Sequence, residues 1–530
     1  MAARYFLNIG ANWGDTANWS DTSGGAGGFS VPTSADDVYF DANSGNCAVN
    51  ASNRVCANLD FTGYANTITF TFRITISGSV FTLSNTMTIA GSSGVAVTNA
   101  CTLTSNGKTF NATLFLNHNL VSPIVDFTLA DDWTVFNLQT LNGNSVNGLV
   151  GNNLYITGDL TFVFRGLIDT TSVTPTHIHM IGTGNITTAG FDSISNIRRN
   201  AFTINTSGTI TFVGATSSFA YGFSGSNPIF SILSGTIIVP SGYTLVLTES
   251  QFNDQVGVVW SNLITVDLTT VTLLSDLYLN GTHTTNRVTL NGFNVYNSGN
   301  FLNTIGTAFA NTTNYHLIGT GTWSATGSGG FRGNLTINTS GTITVSGTVS
   351  YGISGTLEHI SGAVVTTGST LNITGNCTLN TNSITWNMVN ITSATTSLTI
   401  NSLLTANSIQ LRNGNLTFAG TSGFTTNTLE LVDTLTTTRT YTFTIGNTYN
   451  VNSQLTIVGT TTNRAVFASS SGVTRAVLNL FGSQNVQNTN ATRINSSGGS
   501  TIYTTANSTL TDTINWGLGN GNNWFFFLNR

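Results

Sequence analysis

The chain has 530 residues, a formal net charge of −5 and only 7% charged residues, against about 25% in typical soluble proteins. Lysine occurs once and glutamate three times, so helix is not expected as the main element, and 39% hydrophobic residues with 32 phenylalanines exclude a disordered chain. The sequence has no basic patch and no stretch of about 18 apolar residues, which excludes nucleic acid as a partner and insertion into a membrane.

Residues 1–65 form the first predicted element, a small β segment for attachment or capping. Its opening, MAARYFLNIGANW, lacks the apolar run of a signal peptide, so synthesis in a cytoplasm is expected. Two echoes, NWGDT and NWSDT, contain Trp13 and Trp19, which are predicted to cap the end of the fold or to contact a partner. Cys47 and Cys56 are predicted to be buried small hydrophobic residues, because four cysteines in this chain do not make a disulfide framework.

An acidic cluster, Asp36, Asp37 and Asp41, lies in the same segment. Such carboxylates can hold Ca²⁺, but their spacing matches no EF-hand loop, and aspartates often accept hydrogen bonds from backbone amides in turns. Val38 and Phe40 alternate with Asp37, so a strand would point Asp37 away from the two apolar side chains. The prediction is a turn-capping or solvated role, with calcium as the alternative.

The rest of the chain is predicted to consist of copies of one module. IGTG occurs at 181–184 and again at 318–321, and FTINTSGTIT at 202–211 matches LTINTSGTIT at 335–344. A weaker third copy begins near residue 455. The predicted modules are 66–180, 181–317 and 318–454, followed by a C-terminal repeat and cap at 455–530.

Within each module the strands are short and alternate apolar with polar residues, with turns at Ser-Gly or Asn-Gly. Two all-β architectures fit this pattern: antiparallel hairpins in tandem β-sandwiches, or a repetitive β-solenoid (β-helix) whose coils stack through parallel strands. The solenoid is favoured, because LNITGNCTLNTNSITWNMVNIT, at 371–392, alternates inward aliphatic residues with outward Thr, Ser and Asn. Ladders of neutral side chains would also explain how so few charges suffice. Coils of roughly 20–25 residues would number about 20.

His177 and His179 flank a single residue on a predicted strand. Both imidazoles would therefore point to one face, which makes them candidate metal ligands. In the second copy His179 corresponds to His316, but His177 corresponds to Asn314. Because the pair is not repeated, two exposed strand histidines are the favoured interpretation, and no metal or other cofactor is assigned.

No catalytic residue is assigned either. The three glutamates lie in separate parts of the chain, and Asp131 and Asp132 are adjacent. A strand would point these two to opposite faces, a poor geometry for the carboxylate pair of a glycoside hydrolase. Trp323 and Tyr351 are candidate carbohydrate-binding residues, with an inward-facing core position as the favoured alternative.

The sequence ends in NNWFFFLNR, at 522–530. Trp524, Phe525, Phe526 and Phe527 make an apolar run, which would promote association if it were left in water. This run is therefore predicted to be covered by the last coil or by a partner subunit.

Both ends of the chain resemble one group of proteins. The opening, NWGDTANWSDTSGGAGGFSVPTSADDVYFDANSG with CANLDFTGY at 56–64, resembles the start of uncharacterised β-rich structural proteins, fibre- or tailspike-like, of tailed bacteriophages. The ending, NTNATRINSSGGSTIYTTANSTLTDTINWGLGNGNNWFF, resembles the end of the same group. The resemblance implies a virion or surface structure and carries no catalytic residues.

These observations together predict a non-enzymatic structural or adhesive fibre on the surface of a phage particle. A homotrimer is expected, because threefold packing would bury an apolar flank, with the N-terminal segment attached to other virion proteins and the remainder contacting a host cell-surface glycan. The alternatives are a capsid decoration or head-fibre protein, a bacterial surface adhesin and a polysaccharide-degrading tailspike.

Overall fold

The fold is known from a computed structural model, and it is all-β. About 60% of the chain is strand and 1% is helical, and the strands wind into stacked parallel coils that form a β-solenoid of about 16 turns. The chain divides into two compact units, Met1–Leu277 and Tyr278–Arg530. The structure describes residues 2–52, 54–116, 125–140, 147–162, 167–168, 176–188, 197–198, 201–214, 218–221, 229–239, 244–247, 251–261, 264–266, 271–273, 275–280, 283–285, 288–289, 293–304, 314–326, 331, 333–352, 355–392, 394–505 and 507–519.

The first unit begins with strands and one 3₁₀ turn, Thr16–Asn18. Its described strands up to residue 140 are β1 (Ala2–Phe6), β2 (Trp19–Ser20), β3 (Asp36–Tyr39), β4 (Cys47–Val49), β5 (Arg54–Cys56), β6 (Leu59–Asp60), β7 (Thr67–Phe70), β8 (Ile74–Ile76), β9 (Val80–Thr82), β10 (Thr88–Gly91), β11 (Gly94–Val97), β12 (Cys101–Thr104), β13 (Thr109–Leu116), β14 (Val125–Leu129) and β15 (Trp133–Thr140). They continue with β16 (Asn147–Gly151), β17 (Leu154–Ile156), β18 (Leu160–Phe162), β19 (Leu167–Ile168), β20 (Ile178–Met180), β21 (Gly184–Thr188), β22 (Ile197–Arg198), β23 (Phe202–Gly214), β24 (Ser218–Tyr221), β25 (Ile229–Ile238), β26 (Thr244–Leu247), β27 (Gln251–Asp254), β28 (Val259–Ser261), β29 (Ile264–Val266) and β30 (Val271–Leu273).

The second unit follows from β31 (Leu277–Asn280), which starts at the last residue of the first unit. The next described strands are β32 (His283–Thr285), β33 (Val288–Thr289), β34 (Asn294–Asn297), β35 (Phe301–Thr304), β36 (Asn314–Leu317), β37 (Gly321–Thr326), β38 (Asn334–Ser346), β39 (Thr348–Tyr351), β40 (Thr356–Val365), β41 (Thr370–Ile373), β42 (Cys377–Asn380), β43 (Thr385–Ile391), β44 (Ser397–Ile400), β45 (Leu404–Leu411) and β46 (Leu416–Ala419). The last are β47 (Phe424–Leu431), β48 (Arg439–Phe443), β49 (Thr448–Val458), β50 (Ala465–Ser469), β51 (Ala476–Leu480), β52 (Ser483–Gln487), β53 (Thr489–Thr492), β54 (Ile494–Asn495), β55 (Ile502–Thr505), β56 (Leu510–Thr511) and β57 (Trp516–Gly519).

Parallel pairing between successive coils builds the sheets of each unit. In the first unit, one sheet runs through β5, β8, β11, β13, β15, β17, β20, β23, β25 and β27, and another includes β3, β6, β9, β12 and β14. In the second unit, one sheet runs from β39 through β41, β43, β45, β47, β49 and β51 to β54. Parallel ladders of this kind confirm the predicted solenoid, and the alternative of tandem antiparallel sandwiches is wrong.

The coils vary in length, which explains why the sequence shows no strict period. Thr348 pairs with Thr370, Thr370 with Met388, Met388 with Ser408, and Ser408 with Thr428. These steps are 22, 18, 20 and 20 residues, read from the same pairs. Because turns absorb the insertions while strands keep their register, the fold tolerates the drift that blurs the repeat.

Alternation of side chains places the core inside the coils. β47 has Phe424, Thr426, Leu429 and Leu431 buried, with the residues between them less buried or exposed. Two consecutive outward residues in the middle of this strand mark the point where it bends from one side of the coil to the next. β15 and β45 show the same burial pattern, so the bend recurs in both units.

Asparagine side chains connect one coil to the next. The Oδ1 atom of Asn376 accepts hydrogen bonds from the backbone N–H groups of Thr396 and Ser397, both at 2.8 Å. On an outward ladder, Asn390 donates from Nδ2 to Oδ1 of Asn372 at 2.6 Å. The predicted ladders of neutral side chains are therefore confirmed, and they account for the abundance of asparagine in a chain with few charges.

Both units contain the repeated INTSGTIT corner in the same conformation. Thr206 in β23 and Thr339 in β38 are buried, and each hydroxyl accepts a hydrogen bond from the backbone N–H of the glycine two residues later, at 2.9 Å in both cases. On the following coil, Ser234 and Ser361 occupy equivalent positions. Each donates to the carbonyl oxygen of its threonine, Ser234 at 2.9 Å and Ser361 at 3.0 Å. The sequence repeat is thus a structural repeat with matching hydrogen bonds.

Candidate functional site

The N-terminal tryptophans lie in a buried aromatic cluster. Trp13 and Trp19 are both fully buried, their ring centroids are 4.9 Å apart, and Nε1 of Trp19 donates to the carbonyl oxygen of Trp13 at 2.7 Å. β2 runs antiparallel to β1 next to this cluster, whereas β1 pairs with β3 in parallel. Such an antiparallel strand interrupts the parallel stacking edge, which is the geometry a cap requires.

The acidic cluster does not converge on one point. Asp36 is buried and accepts hydrogen bonds from the backbone N–H of Thr33 at 2.9 Å and from its hydroxyl at 2.7 Å. Burial opposes ionisation of Asp36, but these hydrogen bonds outweigh it and hold the pKa of the carboxyl below its usual value. Asp37 points outward, as predicted, and accepts from Asn58 at 2.7 Å, while Asp41 accepts from the backbone N–H of Asn43 at 2.9 Å.

The structure corrects the candidate carbohydrate role of Trp323 and Tyr351, because both lie in the core, the position that the sequence favoured for them. Trp323 is 1% exposed and Tyr351 is 0% exposed, so neither ring can stack on a sugar. The hydroxyl of Tyr351 donates to the carbonyl oxygen of Gly333 at 2.6 Å, which satisfies the one polar atom of that buried ring. Each residue occupies the inward position of an alternating strand, and that phase decides its burial.

The four cysteines are free and buried, which confirms the prediction for Cys47 and Cys56. Burial raises the pKa of each of these thiols. A buried thiol with a raised pKa is a poor nucleophile, so the cysteines belong to the packing of the core.

His177 and His179 point to one face, as predicted, with ring centroids 3.9 Å apart. Burial and the neighbouring His179 together lower the pKa of His177 to about 4. Burial also lowers the pKa of His179, against an opposing effect of Asp132. Nε2 of His177 lies 2.7 Å from the hydroxyl oxygen of Thr203, so one of its possible ligand atoms already has a hydrogen-bond partner.

This histidine pair is part of an outward-facing column of stacked side chains on successive coils. The ring of Tyr155 in β17 stacks on the ring of His179 in β20, with centroids 4.8 Å apart and planes 18° apart, and Thr203 in β23 continues the same column. Asn153 and His177 lie two residues before Tyr155 and His179. We call these five half-exposed or buried residues, Asn153, Tyr155, His177, His179 and Thr203, ladder 1.

The second unit carries the same arrangement. The ring of Tyr296 in β34 stacks on His316 in β36, with centroids 4.7 Å apart and planes 18° apart, and Tyr278 extends the stack at 5.0 Å from Tyr296. Thr336 continues the column and Asn294 pairs with Asn314 beside it. We call the five residues that match ladder 1, Asn294, Tyr296, Asn314, His316 and Thr336, ladder 2.

Several described aspartates bind backbone amides of neighbouring turns or coils. Asp131 accepts from the backbone N–H groups of Ser105 and Asn106, at 2.7 and 2.6 Å, while Asp132 accepts from Asn153 at 3.0 Å. The adjacent pair therefore serves different coils. Asp254 accepts from three backbone N–H groups of the turn that follows it.

Within the described part of the chain, no group of three or more His, Cys, Asp or Glu side chains is placed to hold a metal ion. No helix in that part is long and apolar enough to cross a membrane. Trp524, Phe525, Phe526 and Phe527 lie outside the described residues.

The ladders were not predicted from the sequence, although strand phase contains a signal for them. In LYI at 154–156 and NVYN at 294–297, a tyrosine occupies the polar, outward position of an alternating strand. In NYHL at 314–317, His316 occupies that position while Tyr315 faces inward. Strand phase, and not the size of the aromatic residue, distinguishes surface rings from core rings.

No protein-family model matches the chain, and no curated protein and no solved structure is similar to it. The class that can be stated is therefore the one that the fold defines, a β-solenoid with two equivalent outward aromatic ladders. The resemblance of its ends to phage structural proteins stays a prediction.

Proposed function

We propose that the protein is a non-enzymatic structural and adhesive fibre, displayed on the surface of a tailed-bacteriophage particle as a homotrimer. The observation that carries the structural part is the use of its polar side chains. Asn376, Asn390, Asp131 and Asp132 all bind the chain itself, joining one coil to another. Polar side chains that form hydrogen bonds between coils support a mechanical role for the protein.

The adhesive part rests on the outward ladders. Each unit presents stacked, half-exposed rings of tyrosine and histidine beside asparagine amides. Aromatic rings with polar tips are common in binding surfaces because they contribute contact area at little entropic cost. Two such surfaces on one chain, multiplied in a trimer, would give avidity to weak contacts.

The virion location and the trimer rest on the resemblance of the chain ends and on the expected packing of solenoids. The N-terminal segment, with the buried cluster of Trp13 and Trp19, is proposed to attach to other virion proteins. Light scattering on the purified chain should then give a molar mass three times that of the 55.8 kDa monomer.

Immunogold labelling of purified particles, with antibodies against the recombinant protein, tests the location. We expect label on projecting fibres of tailed particles. Label on the capsid would support the decoration or head-fibre alternative instead, and label on the bacterial envelope in the absence of particles would support an adhesin. Release of reducing sugar from host envelope by the purified protein would contradict the non-enzymatic role.

A further inference from the structure

Ladder 1 and ladder 2 place the same chemistry at equivalent positions of the two units. In both, a tyrosine stacks on a histidine, a threonine continues the column, and an asparagine precedes the tyrosine by two residues. We propose that each ladder is a binding site for a neutral, extended polysaccharide. This inference names the ligand class for the proposed adhesive function, and it rests on that function only for its biological setting.

The groups in the ladders match the surface of a sugar. A pyranose ring has hydroxyl groups around its edge and C–H groups on its faces, so it binds well to amides and hydroxyls placed beside an aromatic ring. In ladder 1, Thr134 lies opposite Tyr155 on the side away from His179. This small side chain leaves room for a sugar ring against the outer face of Tyr155, with Asn153 beside it. In ladder 2, Tyr278 covers that face of Tyr296, so a sugar would meet the edges of the stacked rings there.

The spacing along the ladders suits a chain molecule. Stacked rings follow each other at 4.7–5.0 Å, the separation of neighbouring strands, and a hexose residue in an extended chain is about as long. A polysaccharide lying along the coils would therefore meet aromatic edges and amides at the spacing of its own residues. A compact ligand would not use this periodicity.

Charge favours a neutral glycan over an acidic one. His177 has a pKa of about 4 and the pKa of His179 is also lowered, so both rings are largely neutral near pH 7. In the described part of ladder 1, Asn153 donates a hydrogen bond from Nδ2 to the carboxylate of Asp132. Ladder 2 has Glu358 opposite Thr336. Negative groups at the ends of neutral ladders would repel an anionic chain.

Binding of the full-length protein to neutral hexasaccharides tests the proposal. The probes are cellohexaose, laminarihexaose, mannohexaose and chitohexaose, with polygalacturonate as the anionic comparison, and the readout is isothermal titration calorimetry. We expect at least one neutral probe to bind at two sites per chain. Tyr155→Ala and Tyr296→Ala should each weaken one site by about fivefold to tenfold, and the double variant should weaken both.

Tyr39→Ala is the matched control. Tyr39 also stacks outward, on Tyr5 at 4.9 Å, but its neighbours are Asp37 on the same strand and Asp60 on the next coil. This variant should leave binding unchanged. Tyr155→Phe and Tyr296→Phe keep the stacked ring, so they report on the hydroxyl alone if an alanine variant unfolds, and thermal unfolding is measured for every variant.

Three results would overturn the proposal: no neutral probe binds, polygalacturonate binds more tightly than the neutral chains, or Tyr39→Ala weakens binding as much as the ladder variants. Loss of the oligomer in the ladder variants, seen by light scattering with sugar binding intact, would instead assign the ladders to contacts between copies and also contradict it.

Binding to host envelope polysaccharide is compared with binding to the free hexasaccharides to identify the source of the ligand. Failure of sugar binding leaves the particle location standing, and absence from particles leaves sugar binding standing, so the two proposals fail separately.

Discussion

The two copies of the repeat share their corners and their outward Tyr–His–Thr columns but differ in several other places. Both use a buried threonine and a following glycine N–H to close the corner, with the same 2.9 Å hydrogen bond. At the inward position after IGTG, Ile186 in the first copy is replaced by Trp323 in the second, and both are buried. Beside the ladder, His177 in the first copy is replaced by Asn314 in the second.

This comparison separates what the fold requires from what it tolerates. Corners need one backbone geometry, so their residues agree in both copies, whereas core positions need only apolar volume that matches their neighbours. Outward positions are constrained less by packing, although stacking and hydrogen bonds between coils also involve them. Retention of the Tyr–His–Thr column on the outside of both units is therefore a reason to look for a function there.

The largest loss of stability is expected at the core position where the two copies have side chains of different size. Trp323→Ala should lower the free energy of unfolding by about 3–5 kcal/mol, because it leaves a cavity beside Trp386, whose ring centroid is 6.4 Å away. Trp323→Ile, which installs the residue of the first copy, should cost less because it fills part of that volume. Urea unfolding provides the measurement, with hydrogen exchange in β37 and β38 to localise the loss.

If Trp323→Ala and Trp323→Ile were equally mild, the second copy would not depend on its larger side chain. The shared corners would then be the part of the two copies in which sequence and stability are clearly linked. Ile186→Ala serves as the control in the first unit, where its effect on exchange should remain within the coils around β21.

Much of the fold was predictable from the sequence, because strand phase and the supply of neutral outward residues are properties of short segments. The alternation in residues 371–392 correctly predicted parallel coils. The outward aromatic residues were not predictable from residue type alone, because Tyr351 lies on the inward phase of its strand whereas Tyr155 lies on the outward phase. Ladders between coils also depend on steps that vary along the chain, from 14 residues in one place to 29 in another, and no local pattern reports which residues those variable steps bring together.

A smaller effect is expected at the corner that both copies share. Gly362 has φ +98°, and a Cβ atom there would lie 2.4 Å from Cγ2 of Thr339. Gly362→Ala should therefore destabilise the second unit by about 1–3 kcal/mol, and Gly235→Ala, at φ +118° and 2.8 Å from Cγ2 of Thr206, should do the same in the first. Urea unfolding followed by hydrogen exchange measures both.

Gly368→Ala is the control for these corner variants. Gly368 also has a positive φ, +72°, but a Cβ atom there meets nothing within 4 Å. Its substitution should cost only the backbone strain, about 1 kcal/mol. Equal losses at Gly362 and Gly368 would show that the contact with Thr339 does not matter, and a clear difference between Gly235 and Gly362 would show that the two corners are not energetically equivalent.

The smallest effect should come from the ladder position that distinguishes the copies, and it should depend on pH. The pKa of His177 falls from an ordinary 6.5 to about 4 in the folded chain, mainly through burial and then through His179. Between these two values the unfolded chain binds more protons at this histidine than the folded one. The contribution of His177 to the free energy of unfolding is therefore fully present above about pH 6.5 and is lost as the pH falls toward about 4. Since His177 is only half-buried, solvent screening limits the loss to about 1 kcal/mol.

His177→Asn, which installs the residue of the second copy, should remove this part of the acid sensitivity, and Asn314→His should introduce it into the second unit beside His316. Urea unfolding at about pH 7.5 and about pH 5 measures the difference between each variant and the wild type, in which the contributions of groups that both proteins share largely cancel. An identical loss of stability in the wild type and in His177→Asn would mean that the histidine pair does not sense pH, and that the two ladders differ in composition without differing in behaviour.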